Sequence, residues 1–310
     1  MKKIFETIEQ AAARIGRVFE SVNLSKDPSE ERIFKLYTVK TGKNGKAYVT
    51  KETVKAYFHA TDGNEKTGKA GNYNLPIEYT CKHDCECYKD GSCYACNGCY
   101  NFYDNQAQYT ENYNFFMQAD DETFIAYISW FIWKEKLTLF RYFTCGDIPN
   151  TRFFRLVHEI ARRNPQVKFW LYTKKYSIVN SYYDENGIAS KPENLTVLFS
   201  HWMNKDGSYY PMNNPYNLPT SEFIPFGRED LKAKVTHVCP CSDPDSIATC
   251  ETCDKPCYNL SFGESMGLCE HSTSQTKARD AELHSAKSAR KAAAKEEKRK
   301  ARETRKARKA

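Results

Sequence analysis

Thirteen cysteines stand in this 310-residue chain, and most fall in two short runs. The first is Cys81-x3-Cys85-x-Cys87-x5-Cys93-x2-Cys96-x2-Cys99, six thiols within 19 residues. Thiolates packed this closely repel one another, so a cation has to compensate them, and sulfur ligands select zinc or an iron–sulfur cluster. Zinc ribbons bring paired knuckles from separated segments, whereas several ligands from one loop suit iron–sulfur ligation, 4Fe-4S in particular. The second run is Cys239-x-Cys241-x8-Cys250-x2-Cys253-x3-Cys257, with Cys269 and His271 beyond it. Cys239, Cys241, Cys250 and Cys253 make a tetrahedral zinc set. Equally, Cys250, Cys253 and Cys257 with one outside ligand hold a cluster, and spacing leaves open a site shared by both runs. The bland alternative is buried free cysteine acting as a small hydrophobe.

A third set is defined by position. Apolar runs at 137–143, 167–172 and 195–200 read as strands, and 151–163 and 176–183 between them as helices. This alternation predicts an α/β fold, a βαβαβ core with a mostly parallel, partial-barrel-like sheet and helices on its faces, flanked by the two Cys-rich metal-binding modules. Ligands in such sheets bind beyond the carboxyl ends of the strands. Those ends carry Gly146-Asp147, Thr173-Lys174-Lys175 and Ser200-His201-Trp202. Asp147, Lys174 and Ser200 are the candidate catalytic groups, and Gly146, Thr173 and His201 the candidate cofactor contacts. Each has a plainer reading: Asp147 as a helix N-cap, the lysines as a solvated helix start, His201 as a loop histidine.

The elements around this core are less regular. Ile4, Phe5, Ile8, Ala12, Ile15 and Phe19 recur at helical spacing, and Glu6, Glu9 and Arg14 interrupt any secretory apolar stretch. Residues 32–60 read as a β-ribbon turning at 42–45, residues 61–73 as loop, 120–136 as a helix and 211–226 as an Asn- and Pro-rich loop. The expected units are 1–75 (helix and ribbon), 76–230 (first Cys run and core), 231–271 (second Cys module) and 272–310 (basic tail).

Charge divides sharply between them. The tail carries +9 and residues 1–271 carry −2. A dense cationic run of this kind binds phosphate backbones by counterion release, which makes nucleic acid the expected partner. Its own glutamates offer the alternative of a solubilising helix. The longest apolar run, 124–133, is half of the roughly 20 residues a spanning helix needs. No membrane span is expected, and thiol-rich chains of this length point to a reducing cytoplasm.

Four ordered stretches, TCKHDCECYKDGSCYACNGCY, FRYFTCGDIPN, IARRNPQVKFWLYTKKY and NPYNLP, resemble the bacteriophage gene product 88 family over roughly residues 65–271. The resemblance maps onto Cys81, Cys85, Cys93, Gly146, Asp147, Thr173, Lys174, Asn194, Leu195 and the cysteines of 239–257. Cys145 stands where that family has serine and adds a thiol beside the expected pocket. A more distant similarity is to radical S-adenosylmethionine enzymes, which place a three-Cys loop before a partial α/β barrel and a Gly-rich segment after the next strand. That likeness implies an iron–sulfur cluster and S-adenosylmethionine, although Cys81-x3-Cys85-x-Cys87 departs by one residue from the Cys-x3-Cys-x2-Cys pattern. The expected function is a phage-encoded iron–sulfur protein, radical-SAM-like, acting on a nucleotide or nucleic acid. The alternative is a non-catalytic zinc-binding nucleic-acid-binding or replication accessory protein.

Overall fold

The computed structural model describes residues 17–21, 33–41, 47–55, 59–64, 67–81, 85–89, 93–96, 100, 102–203, 208–225, 227–242, 246 and 248–269. The helix expected over 4–16, the turn at 42–45, Cys99, His271 and the basic tail lie outside these residues. Three antiparallel strands come first, β1 (Arg17–Ser21), β2 (Ile33–Thr41) and β3 (Ala47–Lys55), in the order β1-β2-β3. The ribbon is as expected. Arg17–Ser21, expected at the end of a helix, is instead a strand paired along β2 from Arg17↔Thr38 to Ser21↔Phe34.

The second sheet follows from β4 (Ala60–Thr61) and β5 (Gly71–Tyr73), the latter hidden in sequence by a Gly- and Asn-rich stretch. After β5 come the short helices α1 (Ile77–Thr80) and α2 (Glu86–Lys89), then α3 (Tyr103–Gln118) and α4 (Asp121–Glu135). The expected alternation then appears as β6 (Leu139–Tyr142), α5 (Thr151–Arg163), β7 (Lys168–Thr173), α6 (Tyr176–Asn186) and β8 (Leu195–His201). Three more strands, β9 (Thr220–Ile224), β10 (His237–Val238) and β11 (Ser265–Cys269), extend the same sheet. Its order is β10-β11-β9-β8-β7-β6-β5-β4, and every pair is parallel except β4 with β5.

The two faces of this sheet differ in what covers them. Phe140 and Tyr142 on β6, Phe169 and Leu171 on β7, and Val197 and Phe199 on β8 point to one face and pack against α3 to α6. The residues between them, Leu139, Trp170, Tyr172 and Leu198, meet Cys250, Cys257, Tyr258 and Leu260 from the second Cys run. Helices therefore cover one face, and the carboxyl-terminal module covers the other.

Local chemistry places the helices. In α5, Phe153, Phe154, Leu156, Val157, Ile160 and Ala161 are fully buried, and each large side chain contributes about 1.5–3 kcal/mol. Asn150 caps this helix, its side chain accepting from Phe153 N at 3.0 Å. The Arg152 guanidinium donates to Phe116 O, Ala119 O and Asp121 Oδ1, so one side chain closes the end of α3 and joins it to α4. Among the described residues no helix is long and apolar enough to cross a membrane.

One buried imidazole makes stability depend on acid. His158 Nδ1 lies 2.8 Å from Phe154 O and Nε2 3.0 Å from Tyr183 Oη, so the ring is neutral, donating through Nδ1 and accepting through Nε2. Burial pushes its pKa from 6.5 down to about 3. Below pH 6.5 the unfolded chain takes up this proton and the folded chain does not, so stability falls as pH drops towards 3. About 2 kcal/mol should be lost between pH 7 and pH 5 from this group. Urea titrations at both pH values test it: His158→Gln should flatten the pH dependence, and an unchanged slope would remove the imidazole as its source.

Candidate functional site

All the parallel strands run the same way, so the loop after β5, which carries the first Cys run, lies at their carboxyl edge with the segments that follow β6, β7 and β8. Hydrogen bonds bolt these segments together. Asn74 Oδ1 accepts from Thr144 N at 2.8 Å, Thr144 Oγ1 at 2.9 Å and Cys145 N at 3.1 Å. Asn112, wholly buried on α3, receives His59 N on its oxygen and donates to His59 O and Asn74 O. Thr80 Oγ1 accepts from Asp147 N at 3.1 Å, which fixes the chain at Cys81 beside the end of β6.

The first Cys run folds back on itself at this edge. Cys85 N donates to Cys81 O, Cys93 N to Cys87 O, and Cys96 N to Cys93 O. Cys85 Sγ and Cys87 Sγ are 3.1 Å apart, and the Cys93 thiol contacts those of both Cys87 and Cys96. Cys81 lies near Cys85 and Cys93, and Cys145 near Cys93 and Cys96. Six thiols thus gather with Ile77, Tyr109 and Trp202. Contact with Cys87 draws the Cys85 and Cys93 thiols below the usual thiol range, while Cys87 is pushed up. Burial raises Cys96 and Cys145 to about 12.

The strand-end candidates surround this group. Lys174 is half-buried, its Nζ 4.7 Å from the Trp202 ring centroid. Burial opposes its charge, but Cys87, Cys85, Asp147 and Cys93 outweigh that and hold the ammonium protonated. Asp147 is buried, and its carboxylate is already occupied. Oδ1 accepts from Thr173 Oγ1 at 2.6 Å and Ile148 N at 2.7 Å, and Oδ2 from Lys174 N at 2.9 Å. Burial pushes its pKa up against these bonds. The N-cap role falls to Asn150, so Asp147 joins the ends of β6 and β7. Gly146 has φ +86°, and a Cβ there would overlap the Leu75 carbonyl oxygen. That glycine therefore admits the neighbouring loop on the side toward which a Cβ would point.

Ser200 gives its backbone carbonyl to Tyr176 Oη. His201 Nδ1 lies 2.8 Å from Glu222 Oε2, and the ring stacks on Tyr209 at 4.3 Å. Thr220 Oγ1 holds the other oxygen of Glu222 at 2.8 Å. Glu222 was not a sequence candidate; its signal is the alternation of 220 and 222 along β9, which puts both on the side of His201.

The second Cys run forms a separate group on the helix-free face. The Cys241 thiol contacts those of Cys239 and Cys250, and Cys253 and Cys257 lie close by. Arg141, from β6, acts on Cys239, Cys250 and Cys257 and lies 4.7 Å from the Tyr172 ring centroid. Cys269, at the end of β11, packs instead with Met203, Ile224 and Leu231. The 12 described cysteines form no disulfide. Among the described residues no group of three or more His, Cys, Asp or Glu side chains stands where it could hold a metal ion.

No curated protein and no solved structure matches the chain. A family does. Residues 39–219 match Gene product 88, from within β2 through β8 to the residue before β9, including the first thiol group and the ends of β6 and β7. The second Cys run, expected to share the likeness, lies beyond the match. With more than half of its 310 residues covered, the chain belongs to the Gene product 88 family.

Proposed function

We propose that this is a metal-binding α/β protein whose first thiol group holds an iron–sulfur cluster at the carboxyl edge of the sheet, facing the groups at the ends of β7 to β9. The observation that carries it is the gathering of Cys81, Cys85, Cys87, Cys93, Cys96 and Cys145 in one cluster, with the Lys174 ammonium near Cys85, Cys87 and Cys93. One tetrahedral zinc ion is satisfied by four thiolates. Six thiols, five of them from one loop, exceed that need and suit a polynuclear centre. Such a cluster, when bound, supplies one-electron transfer at a potential set by burial and by hydrogen bonds to its sulfurs. Lys174 offsets thiolate charge and offers a donor to sulfur. His201 has Nδ1 committed to Glu222, which leaves Nε2 as the ring atom for a hydrogen bond to a ligand at the edge.

The order of elements supports the radical-SAM-like reading: a Cys loop after β5, then Gly146-Asp147 after β6. The residues fit S-adenosylmethionine less well. Asp147 already receives three donors, Leu75 occupies the space beside Gly146, and six thiols leave no iron assured of being free of protein.

The test is anaerobic purification with iron, zinc and sulfide analysis. Iron and sulfide of about four per chain with broad visible absorbance, lost in Cys93→Ser, is the expected result. A colourless protein holding zinc alone would overturn it. That outcome would favour a zinc-held scaffold whose +9 tail binds phosphate backbones.

A further inference from the structure

The helix-free face of the sheet presents a physical problem. Trp170 and Leu198 are fully buried there, yet what covers them is an irregular segment whose regular elements are three-residue turns, Pro240–Ser242 and Cys257–Asn259. A stretch this short has little regular structure of its own, and a disulfide or a metal is one way such a cover is fixed. No disulfide is present among the described cysteines.

We propose that the segment from Cys239 to Cys257 binds a single zinc ion through Cys239, Cys241, Cys250 and Cys253, and that this ion fixes the segment over the sheet. The ligands come as two pairs from separated stretches, the arrangement of structural zinc sites. The first pair brackets Pro240 on a turn that Ser242 N closes onto Cys239 O. The second pair brackets a turn tied by Thr252 N to Thr249 O at 3.1 Å and by Thr249 N to Thr252 Oγ1 at 2.9 Å. Lys69 N donates to Glu251 Oε2 at 3.1 Å, which anchors this second turn to the hairpin of β4 and β5. The Cys241 thiol donates to Ala248 O at 3.3 Å, which ties the first stretch to the second, and all four thiols line one recess.

Ligand number and surroundings favour a single ion. The recess is lined by Cys239, Cys241, Cys250, Cys253 and Cys257, and four of these thiols satisfy one tetrahedral centre. Four thiolates on a divalent ion leave a net negative charge, and the Arg141 guanidinium beneath the group offsets part of it. Cys257 stands outside the set. It packs with Trp170, Tyr172 and Tyr258 under the site. The ion is redox-inert, so the role is structural.

The experiment uses the full chain and measures zinc, iron and sulfide in one sample. About one zinc per chain should be lost in Cys239→Ser and in Cys250→Ser, with iron and sulfide at wild-type level. Cys257→Ser should keep the zinc, and Cys250→His, which supplies an imidazole instead of the thiolate, should restore it. If the serine variants do not fold, the wild-type chain loaded with Co²⁺ decides: tetrahedral thiolate coordination gives a visible colour that Zn²⁺ displaces, and its absence overturns the site. Iron or sulfide lost in Cys239→Ser would establish a second cluster instead. Zinc unchanged in both serine variants, or lost in Cys257→Ser, would overturn the ligand set. The result is separable from the strand-edge reading, because zinc in place of iron at the first group raises the total but leaves the loss on Cys239→Ser at about one.

Discussion

Asp147→Ala should destabilise the folded chain by about 3–5 kcal/mol, because it leaves three donors at a buried site without their acceptor. The Thr173 hydroxyl and the backbone N–H groups of Ile148 and Lys174 all converge on this one carboxylate. Asp147→Asn keeps one oxygen for Thr173 and Ile148 but turns an NH₂ towards Lys174 N, so about 1–3 kcal/mol is expected. Urea unfolding of both variants separates two roles for the residue. A carboxylate that bolts β6 to β7 gives the graded loss described. An Asp147→Ala chain within about 0.5 kcal/mol of wild type would show the carboxylate to be dispensable for the fold and available to a ligand.

The neighbouring glycine gives the second large effect. Gly146→Ala combines a positive φ of +86° with a Cβ that overlaps the Leu75 carbonyl. Backbone has to move in a place where Leu75 N is itself bonded to Cys145 O at 3.1 Å. About 3–5 kcal/mol should be lost. Gly187→Ala is the control: its φ is +74°, and nothing lies within 4 Å of the added carbon. It should cost about 1–2 kcal/mol, the conformational part alone. The difference between the two variants measures how tightly the loops after β5 and β6 are pressed together. Equal losses would mean that Leu75 yields freely.

The centre of the fold was legible because its strands and helices obey their own periods. The stretch from β6 to β8 alternates buried runs with an amphipathic α5, and the elements appear where that pattern put them. The flanks were not legible for reasons that can be named. β5 is three residues long and begins with glycine, so it offered no period to read. β9 follows Asn- and Pro-rich chain and buries only Ser221 and Ile224 fully, which looks like loop. In α3 the buried positions are Tyr109, Asn112 and Phe116, and an asparagine in the core breaks the apolar stripe that would have revealed the helix.

The site divides in the same way. Spacing singled out both thiol runs, and the strand pattern put Asp147, Lys174 and His201 at the carboxyl edge, where the fold has them. What spacing does not carry is the third dimension. The first run sits at the strand ends because β5 lies parallel beside β6, and the second, between β10 and β11 in the chain, lies on the sheet face. Glu222 escaped because a lone glutamate has meaning only once β8 and β9 are neighbours.

The pairing of β11 with β9 also has a bearing on how the chain is made. Thr220 of β9 pairs with Ser265 of β11, so the outer neighbour of this strand is the last part of the described chain to be synthesised, long after its inner neighbour β8. While the ribosome is still delivering the intervening residues, β9 presents a bare edge, the kind of surface that recruits other nascent chains. A message cut short anywhere between these strands would leave that edge open for good. Synthesis of this protein therefore passes through a vulnerable interval that ends only when β11 arrives.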